Sequence, residues 1–282
     1  MSWTIDEHPT ALKYFASLVQ SDENFALMEA AISIAQDAEP DLDLQGVLAD
    51  LDRLQVRLAR RLAGENDGLR KLSTLNKFFY GELGFAGNLN DYYDPANSHI
   101  HHVLQTRRGI PISVALIWLE LAAGIGLPVE GIGFPGHFLV KVLLPQGQVV
   151  LDPLSGESFS AAGLAERLQP FLDRAGIESS EAAPLGLYLQ AARPRDIVER
   201  MLRNLQEIYL SQRDWPMLVA VINRLMLLLP GHVELLHDRG LAYAEWGVGE
   251  RALADLERYV QFAPAQDAIL IEEVLRRLRS EL

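Results

Sequence analysis

Three polar residues of the kinds used in nucleophilic catalysis lie in order along the middle of the chain. Ser113 stands near the start of a long apolar segment, His137 begins a second apolar run, and Asp152 ends a third. A serine hydroxyl can attack an amide or ester carbonyl, a histidine can accept its proton near neutral pH, and a carboxylate can orient the imidazole. These residue types in this order therefore indicate a Ser–His–Asp centre.

The nucleophile of this centre would lie at the start of an enclosed helix. The segment from Ile112 to Ala123 is apolar nearly all round, which predicts a helix covered on every side. Ser113 falls in its first turn, where the helix dipole and free N–H groups favour negative charge. That position would support both an ionised nucleophile and an oxyanion.

A predicted hairpin places the other two residues. Strands are predicted from His137 to Leu144 and from Val149 to Leu151, joined by a turn at Pro145–Gln148. A further strand is predicted from Val129 to Gly133. Because nearly equal arms flank the turn, we expect His137 and Asp152 to lie side by side.

Each of the three residues also has a structural interpretation. Serine is among the preferred residues at helix starts, so Ser113 could be a cap. His137 could be a hydrogen-bonded polar residue of the sheet, and Asp152 with Pro153 could form only a turn. We expect the three side chains to cluster under either interpretation.

Other candidates for chemistry or binding lie just before the enclosed helix. Gln105 could support an oxyanion near a cleft, and Arg107 and Arg108 could bind an acidic group or bond to helix carbonyl groups. Three neighbouring histidines would point in different directions on a helix, which favours a partly exposed helix over a metal site. They are His99, His101 and His102.

The remaining sequence predicts helices on both sides. From Leu44 to Leu62, apolar residues recur at spacings of three and four, typical of one buried helix face. A helix is also predicted from Ser160 to Leu172. A domain boundary is predicted within 173–195, where Leu185–Leu189 could add an edge strand.

The tail contains a repeat. Pro230 and Pro264 lie 34 residues apart, and the small residues Gly240 and Ala252 would let two helices pack closely. This pattern resembles the tetratricopeptide repeat, a helix–turn–helix unit of 34 residues. A final capping helix is predicted from about Gln266.

Four motifs occur in one order in the central part of the chain. They are Arg107-Arg108-Gly-Ile-Pro-Ile-Ser113, Gly126-Leu-Pro-Val-Glu130, Phe134-Pro-Gly-His137-Phe-Leu-Val140 and Leu151-Asp152-Pro153. The segment that carries them resembles the transglutaminase-like core of the papain-type superfamily. More narrowly, the chain is similar to the bacterial SirB-type transglutaminase-like family, whose members have a helical N-terminal region and a tetratricopeptide-like tail.

The resemblance implies a cysteine, a histidine and an aspartate at the catalytic positions of active superfamily members. Ser113 stands where the thiol would be, and His137 and Asp152 match the other two positions. A hydroxyl ionises far above neutral pH, so a Cys–His ion pair is unavailable. Thiol transglutaminase and cysteine protease activity are therefore excluded, and a serine here is usual in the SirB-type family.

Composition narrows the function classes further. The chain has 282 residues, no cysteine and a net charge of −13, which excludes thiolate metal sites and argues against a surface that binds nucleic acid. The first ten residues have neither a basic start nor an apolar run. We therefore expect a cytoplasmic protein without a membrane segment, and neither a metal nor a cofactor.

These observations predict an α+β fold in three parts. Residues 1–80 would form a helical region, 81–185 a transglutaminase-like core with an antiparallel sheet, and 193–282 tetratricopeptide-like helices. The function predicted first is a protein-binding or regulatory module whose C-terminal repeats hold a protein or peptide partner. The alternative is a serine-type amide or ester hydrolase or acyltransferase that uses Ser113, His137 and Asp152. The oligomeric state is left open.

Overall fold

A computed structural model describes residues 10–88, 90, 91, 93–177 and 183–281. The chain divides into two compact units. One unit holds Leu27–Ile32 and Leu42–Met201, and the other holds the described residues before 27 together with 33–41 and those from Leu202 onward. The first nine residues, interpreted above as lacking a signal, and 178–182 of the predicted boundary lie outside the described residues.

The unit centred on Leu42–Met201 contains helices and two small sheets. Its helices include α2 (Leu27–Ser33), α3 (Leu44–Arg61), α4 (Gly68–Asn76), α5 (Ile100–Thr106), α6 (Pro111–Gly124), α7 (Ala161–Ala175) and α8 (Leu185–Tyr188). Helix α9 (Pro194–Gln212) begins in this unit, and the unit boundary falls within it. Strands β1 (Ala86–Gly87) and β2 (Arg108–Gly109) pair in parallel.

Helix α3 forms as its apolar spacing predicts. Its buried residues are Val47, Leu51, Leu54 and Leu58. The Asp43 side chain accepts a hydrogen bond of 3.0 Å from the Gly46 N–H, which satisfies a donor at the helix start. The helix therefore presents one apolar face inward and a charged face, including Arg53 and Arg57, outward.

Helix α6 is the enclosed helix that the sequence predicts. Its residues from Ile112 to Trp118 are all buried. The Trp118 side chain is fully buried, and its Nε1 donates to Asn76 Oδ1 at 3.1 Å. Burial around the whole first half of the helix explains why apolar residues occur there without a helical stripe, whereas Glu120 and Ala123 in its second half are exposed.

A three-stranded antiparallel sheet adjoins α6, in the order β3 (Val129–Ile132), β4 (Leu139–Leu144) and β5 (Gly147–Leu151). Val140 pairs with Leu151, so the hairpin forms in the expected region. Strand β4 begins two residues later than predicted, because the His137 N–H closes a turn on the Phe134 carbonyl at 3.0 Å.

Helix α7 and the segment of α8 cover this sheet. The buried cluster they share comprises Ile132, Phe134, Leu139, Val150, Leu164, Leu168, Leu172 and Leu189. The predicted helix from Ser160 is confirmed, and the Ser160 side chain caps it through the Gly163 N–H at 3.1 Å. The edge strand predicted at Leu185–Leu189 is wrong. This segment forms a short helix and contributes apolar side chains, rather than backbone pairing, to the cluster.

The other unit contains the repeat. Its helices include α1 (Ala11–Leu18), α10 (Trp215–Leu228), α11 (Glu234–Trp246), α12 (Gly249–Val260) and α13 (Ala265–Glu281), beside a 3₁₀ turn at Ile34–Asp37. Helices α11 and α12 pack closely at Gly240, where an added Cβ would meet Leu256 at 2.7 Å. The small residue Gly240 therefore allows the close helix packing that the repeat pattern predicts, and α13 is the predicted final helix.

A buried ion pair joins distant parts of this unit. The Arg224 Nη2 lies 2.9 Å from Asp37 Oδ1, and Arg224 has no exposed side-chain surface. The 3₁₀ turn and α1 thus belong with the repeat, whereas α3 and α4 belong with the core. The domain boundaries that the sequence predicts, at residues 80, 185 and 193, stay a prediction. Among the described residues, no helix is long and apolar enough to span a bilayer.

Candidate functional site

Ser113 lies in the first turn of α6 and is fully buried. Its Oγ is 2.6 Å from the Asn97 carbonyl oxygen and 3.0 Å from that of Ile110, both acceptors for the hydroxyl proton. The same oxygen accepts the Ile110 N–H at 3.2 Å. The hydroxyl therefore joins the start of α6 to the backbone of the preceding turn.

His137 and Asp152 lie together at one end of the β4–β5 hairpin. The His137 Nε2 is 3.4 Å from Asp152 Oδ2, with side chains 20% and 16% exposed. That separation suits an ion pair but is longer than a usual hydrogen bond. The other carboxylate oxygen, Oδ1, accepts the Leu154 N–H at 2.8 Å. The expectation that the hairpin brings these two residues together is thus fulfilled.

The surroundings of Asp152 favour its charged form. Burial alone would raise the pKa of this carboxyl, but contact with His137, the Leu154 N–H and the charge of Arg167 together hold that pKa below its ordinary value. An ionised Asp152 can orient the imidazole and stabilise its protonated form. The carboxylate is therefore placed to fix the orientation of the His137 ring.

Tyr80 extends the polar cluster on the other side of Asp152. Its hydroxyl donates to the Pro153 carbonyl at 3.0 Å. Burial, and then the negative charge of Asp152, raise the pKa of Tyr80 well above its usual range. Gly156 lies against the same ring in a left-handed conformation, with φ +74, where a Cβ would meet the ring at 2.4 Å.

A surface cavity of about 280 Å³ opens beside His137. It is lined by Phe134, Pro135, Gly136, His137, Arg167, Pro170, Phe171 and Arg174. Sequence reasoning missed Tyr80 and Arg167. Both come from distant elements, and no spacing in the sequence relates them to Asp152.

The structure thus brings two of the three predicted residues into contact. The hydrogen bonds of the third, Ser113, go to backbone groups. The assignment of all three to one catalytic centre stays a prediction.

The remaining candidates from the sequence are the neighbouring histidines and Arg108. His99 and His101 are buried with their rings stacked, their centroids 5.9 Å apart. Within the described part of the chain, no group of three His, Asp or Glu side chains is arranged to hold a metal ion. Arg108 donates to the carbonyl oxygens of Gly84 and Arg107, which lie outside the helices.

The repeat carries a groove between helices α9, α10 and α11. Its lining residues are Gln206, Leu210, Trp215, Leu218, Ile222, Asp238, Leu241, Ala242 and Glu245, around a volume of about 330 Å³. Leu218, Ile222 and Ala242 form a buried floor, whereas Leu210 is 55% exposed. The Gln206 amide donates to Asp238 at 3.0 Å. The groove is therefore apolar at its centre and acidic at its edge.

Comparison with protein families gives two matches along the chain. Residues 45–203 match a family described as transglutaminase-like superfamily, and residues 205–279 match the tetratricopeptide repeat. The first match covers more than half of the chain and includes Ser113, His137 and Asp152.

Relatives occur in bacteria and in animals. A protein named UPF0162 from Xylella fastidiosa strain Temecula1 is 38% identical over 250 residues, covering 86% of each chain. The protein of that name from Vibrio cholerae is 27% identical, over 88% of this chain and 91% of its own. Human F-box only protein 21 is 26% identical over 83% of this chain, which spans 41% of that longer protein.

Proposed function

The chain belongs to the transglutaminase-like superfamily and carries a tetratricopeptide tail, and from that premise we propose that it is a protein-binding module with a catalytically silent core. Its repeat groove would hold a segment of a partner protein. The transglutaminase-like unit would serve as a scaffold whose catalytic positions have become structural.

The state of Ser113 carries this proposal. A nucleophile must reach the substrate carbonyl, yet this side chain has no exposed surface and its hydroxyl contacts backbone groups in both directions. Turning the hydroxyl toward a substrate would break its bonds to the Asn97 carbonyl and the Ile110 N–H, which would keep only their longer bond to each other, at 3.3 Å. Each lost hydrogen bond costs about 0.5–1.5 kcal/mol.

The groove in the repeat supports the binding role. Tetratricopeptide repeats generally mediate protein–protein interactions on concave surfaces. Here the apolar floor would take aliphatic or aromatic side chains, and Asp238 and Glu245 at the edge would favour a basic residue beside them. We therefore expect a partner segment in which apolar residues adjoin a lysine or arginine.

The binding test uses the full chain and a display library of short random peptides. Enriched peptides should combine apolar residues with a basic residue, and Leu210→Asp should abolish their binding. Leu227→Asp, which changes an exposed leucine outside the groove, is the matched control. Enrichment of acidic peptides, or equal loss in both variants, would contradict the proposed groove.

The alternative, a serine-type hydrolase or acyltransferase, is favoured by one observation. The contact of His137 with an ionised Asp152 is the arrangement that a general base requires. A fluorophosphonate reagent followed by peptide mass analysis distinguishes the functions. We expect no adduct at Ser113, and an adduct that His137→Ala abolishes would overturn the silent-core proposal.

A further inference from the structure

Three arginines line a cavity between α3 and the end of α5, and one of them is Arg107, a candidate from the sequence for binding an acidic group. The cavity has a volume of about 380 Å³. Its lining residues are Asp50, Arg53, Leu54, Arg57, Leu104, Gln105 and Arg107. In a chain with a net charge of −13, a local excess of positive charge calls for an explanation.

The charges in this cavity are not balanced. Asp50 is the single carboxylate in the lining, and it pairs with Arg53. Among the described residues, neither Arg57 nor Arg107 has an ion-pair partner. Their guanidinium groups instead lie over the rings of Phe78 at 5.5 Å and Phe85 at 4.8 Å. Two positive charges therefore face the cavity without a counterion from the described part of the chain.

Arg107 is held in this position at an energetic cost. Its φ of 62° and ψ of 20° place it in the left-handed region at the end of α5, where glycine is common. Its Nη1 is buried and has no hydrogen-bond partner among the described residues. Burial, and then the nearby charge of Arg57, lower the pKa of Arg107. A bound anion would offset the repulsion between the two guanidinium groups.

We propose that this cavity binds the phosphate monoester group of a small organic molecule, through Arg57 and Arg107. Guanidinium groups bind phosphate with two parallel hydrogen bonds. A phosphate monoester carries a charge of about −1.5 to −2 at neutral pH, which matches the two unpaired arginines better than a monocarboxylate does.

The rest of the cavity supports a ligand larger than inorganic phosphate. Leu54 and Leu104 form an apolar wall, and the Gln105 amide could donate to or accept from a hydroxyl of the ligand. The volume falls within the range of small-molecule sites, about 300–1,000 Å³. A compact sugar phosphate fits this combination of charge, apolar surface and size.

The test is calorimetric titration of the full chain with glucose 6-phosphate, inorganic phosphate, a phosphoserine peptide and acetate. Variants Arg57→Ala and Arg107→Gly should weaken sugar-phosphate binding about tenfold or more. The glycine variant keeps the left-handed backbone without strain. The control Arg60→Ala removes the same charge from an exposed position of the same helix, outside the cavity, and should leave binding unchanged.

The outcomes separate the possible ligands. Saturable binding of the sugar phosphate that both cavity variants weaken, with acetate silent, supports the proposal. Lysine at position 57, in Arg57→Lys, should restore only part of the affinity because it lacks the guanidinium fork. Binding of the phosphoserine peptide alone would replace the small molecule by a protein ligand. No saturable heat with any phosphate, or equal weakening by Arg60→Ala, would overturn the proposal.

Discussion

Ser113 and Arg107 lie six residues apart, yet their side chains are in opposite situations. The Ser113 hydroxyl is fully buried and bonded to backbone groups. The Arg107 guanidinium has a buried nitrogen without a partner among the described residues, and a second arginine lies nearby. A polar group whose hydrogen bonds are made within the chain stabilises the fold, whereas a cluster of like charges is stabilised when an ion of opposite charge binds. Residue type alone would have ranked these two residues the other way.

The largest effect is expected where a buried charge loses its partner. Asp37→Ala leaves Arg224 uncompensated and should lower the free energy of unfolding of its unit by about 3–5 kcal/mol. Urea titration followed by fluorescence measures the loss. Glu257→Ala removes the partner of the exposed Arg279 in the same unit and should change stability little. Similar losses of stability in both variants would contradict the expectation that the buried ion pair contributes more than the exposed one.

The next effect concerns the buried hydroxyl. Ser113→Ala leaves the Ile110 N–H and the Asn97 carbonyl with only their 3.3 Å bond to each other, and should destabilise the protein by about 0.5–1.5 kcal/mol. Thermal unfolding is the measurement. Ser155→Ala removes a hydroxyl that bonds the Glu157 N–H at an exposed turn, and should have a much smaller effect. A neutral Ser113→Ala would argue that the hydroxyl is not structural.

A pH-dependent effect is expected at Asp152. The pKa of this carboxyl is lower in the folded protein than its ordinary value of 3.8. Its charged form therefore contributes stability above about pH 4, and this contribution disappears as the pH falls through the lowered pKa. Asp152→Asn should remove about 1 kcal/mol at pH 7 and progressively less in acid.

Carboxyl carbon NMR provides a second measurement on the same pair. His137→Ala should move the Asp152 midpoint upward, since contact with the histidine is among the factors that lower this pKa. An unchanged midpoint would show that the two side chains do not interact in solution.

The smallest effect on stability is expected at Arg107, the second residue of the comparison. In phosphate-free buffer, Arg107→Gly should stabilise the protein by about 0.5 kcal/mol, because relief of the left-handed strain slightly exceeds the lost contact with Phe85. Arg213→Gly, at another left-handed arginine with φ of 57°, provides the control for strain alone. Differential scanning calorimetry should show that added sugar phosphate stabilises the wild type and the Arg213→Gly variant, and has no such effect on Arg107→Gly.

Much of the local structure follows from the sequence. The spacing of leucines in α3, the largely apolar sequence of α6 and the turn at Pro145–Gln148 are each patterns within a few neighbouring residues. Local periodicity is sufficient for these elements, because a helix or hairpin is defined by short separations along the chain. The contact of His137 with Asp152 was predictable for the same reason, since one tight turn connects the two strands.

The candidate sites could be predicted only in part. The Ser113 hydroxyl bonds to Asn97, Tyr80 lies against Asp152, and Arg57 faces Arg107, all across separations that no pattern in the sequence encodes. Arg224 and Asp37 are 187 residues apart. Whether a polar side chain is satisfied depends on what other elements bring to it.

The sequence by itself determined that the chain contains no thiol, that a tetratricopeptide-like tail follows the core, and where helices α3, α6 and α7 and the β4–β5 hairpin form. Only the tertiary structure decided that the serine is buried while Arg57 and Arg107 line a shared cavity. The physical reason is that residue types and their local spacing are properties of the sequence itself. Burial, charge balance and the supply of hydrogen-bond partners arise only when distant segments pack together.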